Sequence, residues 1–198
     1  MSCKKVLGLS AMFMLAAVSG AEAHGGVGAV SGTVAGFIHP IGGLDHVLAM
    51  IAVGMLAAQQ GGKALWSIPL TFVAMMLVGG SVGVAGVAVP FVEQGILGSI
   101  IILGFVVALG RAMSIPLAMA MVGVFALFHG HAHGTEMPMD ASGILYGLGF
   151  ALATVLLHIL GVGAAVSVQK FVRQTAPVWV RVGGGAIATV GMVMLAGA

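Results

Sequence analysis

Histidine and carboxylate side chains crowd into two short stretches of this chain. The first is His39-Pro40-Ile41-Gly42-Gly43-Leu44-Asp45-His46, the second Phe128-His129-Gly130-His131-Ala132-His133-Gly134-Thr135-Glu136. Imidazole with carboxylate is the ligand set of a borderline divalent ion such as Ni²⁺, Co²⁺ or Zn²⁺. On a continuous helix His129, His133 and Glu136 fall at i, i+4 and i+7 and share one face. Three ligands from two turns can hold one ion or two adjacent positions along a path. His131 points away on that geometry, although Gly130 and Gly134 give the backbone room to loosen and turn it in. In the first stretch His39 and His46 are again seven apart, with Asp45 about 100° round the helix. The Pro-Gly-Gly interruption exposes backbone carbonyls and a helix start, a device of ion transporters. Asp45 reads evenly as a ligand or as a supporting group that N-caps the next helix or orients His46.

Three further histidine or acidic positions extend this set. His158 reads either as an interhelical hydrogen-bonding residue or as a point on an ion path. Glu93 reads as a solvated boundary charge or as an aid to the metal site. His24 comes into play through processing, described below. Met50 lies four residues after His46, where a soft ligand and a packed core side chain are both open readings.

The elements that carry these groups belong in a membrane. Of 198 residues, 60% are hydrophobic and 6% charged, with a mean hydropathy of +1.20. A soluble domain carries roughly 25% charged residues, so this chain cannot build a water-facing surface. Its long, unalternating apolar runs predict an all-α integral membrane protein rather than a barrel. A charged group in hydrocarbon costs on the order of 2.5–3.5 kcal/mol, so a membrane chain that keeps two such clusters uses them. The pI near 9.0 reads as orientation charge and not as a nucleic-acid footprint.

Lys4 and Lys5, the apolar run Val6 to Val18 and Ala21-Glu22-Ala23 predict a signal peptide over 1–23. Cleavage there leaves His24 as the first residue of a single transmembrane bundle, 24–198, and removes Cys3, the one cysteine. With its free α-amine beside the imidazole, His24 can chelate an ion and pass it to His39. Apolar stretches then run over 27–38, 44–60, 64–89, 93–110, 113–130, 141–168 and 176–197. The first two are short and are divided by Pro40, Gly42 and Gly43, so they count as one broken crossing. That gives six spans with both ends outside. Lys63, Arg111, Lys170, Arg173 and Arg181 then face the cytoplasm, and Glu93, Glu136 and Asp140 face outward. Both histidine clusters fall at the outer face, at one depth, where they can form a single site. Small residues spaced by four, at Gly28, Gly32 and Gly36, at Gly79 and Gly83, and at Gly143 and Gly147, suit close helix packing in lipid.

At these residues the chain resembles the HupE/UreJ family of bacterial nickel permeases. The resemblance rests on the His-x5-Asp-His pattern at His39, Asp45 and His46 and on the Phe-His-Gly-x-Ala-His-Gly-x-Glu pattern from Phe128 to Glu136. The stretches Met50-Ile51-Ala52-Val53-Gly54 and Ala57-Ala58-Gln59-Gln60-Gly61-Gly62 add to it. It implies that His39, Asp45, His46, His129, His133 and Glu136 serve uptake of nickel, or cobalt, across the bacterial inner membrane. It also implies supply to a nickel enzyme such as hydrogenase or urease. His131 occupies a variable position of the pattern. The expected activity is secondary transport without a permanent cofactor, the metal being cargo, and no Walker A motif is present. Two rival readings use the same residues: a zinc-dependent intramembrane hydrolase and a bis-histidine haem protein.

Overall fold

In hydrocarbon a chain must pair its own backbone groups, and the apolar runs do so as helices. The computed structural model describes residues 32–138, 142–172 and 174–198. Seven helices follow one another there: α1 (Gly32–Gly42), α2 (Leu44–Gln60), α3 (Ala64–Val84), α4 (Val92–Leu109), α5 (Ile115–Thr135), α6 (Gly143–Phe171) and α7 (Ala176–Ala196). The predicted signal peptide and His24 lie outside the described residues.

Helices α3 to α7 are each long and apolar enough to cross a membrane. Helices α1 and α2 meet at a break with an 83° bend, and the pair taken together is also apolar and long enough for a sixth, broken span. Alone, α1 has 11 residues, about 16 Å at 1.5 Å per residue, against a hydrocarbon core of about 30 Å. The break falls at Gly43 rather than at Pro40, which sits inside the last turn of α1. There its missing N–H removes a single helical bond.

The closest helix pairs are α3 with α5, α4 with α7, and α6 with both α1 and α2. The α3–α5 contact is backbone against backbone. A Cβ on Gly79 or Gly83 would strike the carbonyls of Leu127 or His131, and one on Gly130 or Gly134 those of Met76 or Gly80. Gly36 makes a similar approach to Tyr146 of α6, whereas Gly143 and Gly147 meet only side-chain atoms at ordinary contact distance. Small-residue spacing in lipid is thus used where two helices must approach closely.

The core runs through Met50, Leu56, Ile68, Phe72, Ile100 and Leu103, all essentially fully buried. Outward-facing Trp66, Phe105, Leu160 and Phe171 are exposed, a distribution that suits a hydrocarbon surround. At one end of the bundle Gln60 Nε2 donates to Arg111 O (3.1 Å), Gln59 Nε2 to Val107 O (2.9 Å) and Arg181 Nε to Ala108 O (2.7 Å). The histidine clusters occupy the opposite end.

Candidate metal centre

Helix α5 stays continuous through the second cluster as far as Thr135, and Glu136 follows directly as its C-cap. His129 and His133 therefore stand one turn apart on a common face, as the spacing predicts. Gly130 and Gly134 do not loosen the backbone. They are spent on the close approach to α3, and His131 is turned away from the other two rings. Its Nε2–H donates to Val87 O at 2.7 Å, tying α5 to the loop that follows α3.

The 83° bend between α1 and α2 swings His39 and His46 over this face. Gly43, extended at φ −96° and ψ 118°, caps α2 without a side-chain bond, so Asp45 is not the N-cap. Asp45 lies instead in the first turn. Its Oδ1 accepts the backbone N–H of His46 at 2.8 Å and the His46 Nδ1–H at 2.7 Å. A carboxylate can only accept here, which fixes the imidazole with Nε2 as its lone-pair nitrogen. That Nε2 is buried and has no hydrogen-bond partner.

His133 is the hub of the cluster. Its ring centroid lies 4.7 Å from that of His39, 4.2 Å from that of His46 and 4.0 Å from Phe150. His129 joins from one turn deeper, 4.8 Å from His46. At the outer rim His39 Nε2 and Glu136 Oε2 share a hydrogen bond of 2.9 Å. Ligand atoms of His39, His133 and Glu136 all lie within 4.8 Å of one another. The side chains of Glu136 and His39 are 52% and 35% exposed, whereas His133 and His129 keep 3% and 0% of their surface. One ligand group of nitrogen and oxygen results, exposed at its rim and ending at the buried His133, and the rings of His46 and His129 pack beside it. Such an arrangement can hold a divalent ion between water and the buried rings.

Ser99 orients the deepest histidine. Its hydroxyl lies 2.6 Å from Ile96 O and 2.8 Å from His129 Nε2. A carbonyl only accepts, so the single hydroxyl proton goes to Ile96 O and His129 must donate from Nε2. The lone pair of His129 is then at Nδ1, which is buried and unpartnered, as are both nitrogens of His133. Buried polar atoms are almost always paired, so unpartnered imidazole nitrogens within one cluster of rings fit a cation. Sequence reasoning missed Ser99. The signal was present, a lone polar residue in Ile-Leu-Gly-Ser-Ile-Ile-Ile, but serine in an apolar helix often only bonds back to its own backbone.

A cavity of about 690 Å³ between α3, α5 and α6 reaches the hub, lined by His133, Phe150 and Met76 and also by Met137 and Ser142. Glu93 lies exposed in the first turn of α4 and is not brought into the ligand group. His158 is buried deeper in the bundle, beyond Phe72.

A family profile described as HupE / UreJ protein matches residues 12–194. The chain belongs to the HupE/UreJ family. Among its relatives, Protein HupE of Rhizobium leguminosarum bv. viciae is 46% identical over 183 residues, spanning 92% of this chain and 94% of that one. No solved structure matches. The family is associated with nickel and cobalt transport, and its two names link it to nickel supply for hydrogenase and urease.

Proposed function

We propose that this chain is a secondary permease that takes up a divalent transition metal, nickel foremost and cobalt second, through the two histidine clusters. Membership of the HupE/UreJ family supports the substrate class. The observation that carries the reading is the group His39, His133 and Glu136, whose ligand atoms all lie within 4.8 Å of one another, with the His46 and His129 rings, each with an unpartnered nitrogen, packed beside it. In this reading His39, Glu136 and His133 capture the hydrated ion at the outer face of the bacterial inner membrane. His46, His129 and His133 then hold it in the dry interior, with Asp45 keeping His46 in the binding tautomer. Delivery ends at a nickel enzyme such as hydrogenase or urease.

Uptake of radioactive nickel by cells expressing the protein tests this. His46→Ala and His133→Ala should each abolish uptake at unchanged membrane level, and excess Co²⁺ should compete while Cu⁺ does not. The ligand atoms are nitrogen and oxygen, and Cu⁺ selects soft sulfur. Normal uptake by either variant removes the shared site. Turnover of a lipid or amide by purified protein that moves no ion favours the zinc hydrolase instead.

A further inference from the structure

Helix α6 packs on α2 more closely than on α3 toward the end of the bundle that carries Arg111 and Arg181. Gly161 of α6 meets Gly54 and Ile51 of α2, and a Cβ on either glycine would strike the other helix. That contact draws α6 toward α2. The α6 side chains that meet α3 are Thr154, on Met76, and His158, edge-on to Phe72 at 5.2 Å. Beside them a groove of about 460 Å³ opens between the two helices. Leu65, Trp66, Leu70 and Val73 line one side of it, and Val155 and Ile159 the other. Trp66, Leu70 and Ile159 are each more than half exposed, so the groove faces the hydrocarbon surround. His158 borders it but is 2% exposed, which leaves the surface on offer apolar.

Depth and charge define what such a surface takes. From Leu65 to Val73 the groove runs eight residues of α3, about 12 Å at 1.5 Å per residue. One leaflet of the hydrocarbon core is about 15 Å deep. A helix from a second copy would need a face as long as the whole bilayer, whereas an acyl chain needs the depth of one leaflet. At the head of the groove stands Lys63, exposed and directly before α3. The pairs Phe72–His158 and Met76–Thr154 set an antiparallel register that places Lys63 level with Ser167, within one turn of the exposed Lys170. Asp45, Glu93 and Glu136 all lie at the histidine end. Among the described residues neither lysine has an acidic partner. Trp66, in the first turn of α3, occupies the level where tryptophans favour the membrane–water interface.

We propose that this groove is a binding site for an anionic phospholipid of the leaflet at the basic end. One acyl chain lies between α3 and α6 and fills the space that the Gly161 contact leaves open. The phosphate sits over Lys63 and Lys170, which supply the countercharge. The site does not depend on the permease reading.

Full-length Trp179→Phe protein keeps Trp66 as its one tryptophan, and the fluorescence of Trp66 then reads the lipid in the groove. The bilayer is dioleoyl phosphatidylcholine, and the probe is phosphatidylglycerol with brominated acyl chains, which quenches tryptophan on contact. Trp66 should select this lipid over brominated phosphatidylcholine roughly 25-fold, about fivefold from each lysine. Lys63→Gln and Lys170→Gln should each remove its own factor. In a Trp66→Phe chain, Trp179 of α7 should show no selectivity of that size. Equal quenching of Trp66 by the two lipids overturns the site. So does selectivity that survives both lysine substitutions together, or that Trp179 shares. Absence of quenching by either lipid overturns it in favour of a second copy covering the groove.

Discussion

Three buried histidines converge in this site, and they differ in what holds them. Asp45 takes the Nδ1 proton of His46, Ser99 takes the Nε2 proton of His129, and His133 is held by ring contacts alone. The first two imidazoles are therefore fixed in opposite tautomers, each presenting its other nitrogen. Removing such a partner typically costs 10–100-fold in metal affinity. Asp45→Asn and Ser99→Ala are each expected to weaken Ni²⁺ binding by about that factor, measured by titration calorimetry. Transport at saturating nickel should fall less than affinity does. If Asp45→Asn instead eliminates binding as His46→Ala does, Asp45 is itself a ligand. The adjacency of Asp45 and His46 was readable from the sequence, but the choice among ligand, cap and support was not. That choice depends on the φ and ψ of Gly43, which composition does not encode. The Ser99 contact spans two helices and 30 positions, so no local pattern announces it.

Helix boundaries follow the same division. The run of apolar residues predicts a third stretch over 64–89, yet α3 ends at Val84, because the chain turns left-handed at Gly86 (φ 71°) and again at Phe91 (φ 59°). Hydropathy does not register a turn made of apolar residues. The opposite happens in α5, where polarity rises at His129 but the helix continues to Thr135, its glycines packed on α3. The broken first crossing was readable from Pro40, Gly42 and Gly43. Its residue-level consequence is specific to one glycine. A Cβ on Gly43 would stand 2.6 Å from Asp45 Oδ1 and 2.9 Å from His46 Nδ1, whereas one on Gly42 meets nothing within 4 Å. The backbone of Gly43 is one that alanine also adopts, so Gly43→Ala leaves the fold intact and displaces the Asp45–His46 pair. Nickel affinity should fall about tenfold with little change in melting temperature. Gly42→Ala should match wild type in both measurements.

At the scale of the whole molecule the two ends differ in charge, and in the proposed permease that difference would set the direction of transport. Lys63, Arg111, Lys170 and Arg181 lie at or near the end where α2 stops and α3 starts, while Glu93 and Glu136 lie with the histidines. Cytoplasmic loops carry the excess of Lys and Arg, and on that rule the histidine end is expected to face outward. In that orientation a cation with two charges would enter down the membrane potential, a driving force of about 4.6 kcal/mol per 100 mV. Capture at an exposed outer rim and release at the basic end need no nucleotide under that force. In the inverse orientation the same potential would hold the ion on the clusters and oppose its passage to the far end. Two exposed loop positions decide between the orientations, Ala88 after α3 and Ala112 after α4. In a Cys3→Ser background, Ala88→Cys should react with a membrane-impermeant maleimide on intact spheroplasts, and Ala112→Cys only once they are permeabilised. The reverse pattern would place the clusters in the cytoplasm and make the protein an exporter of the ion it binds.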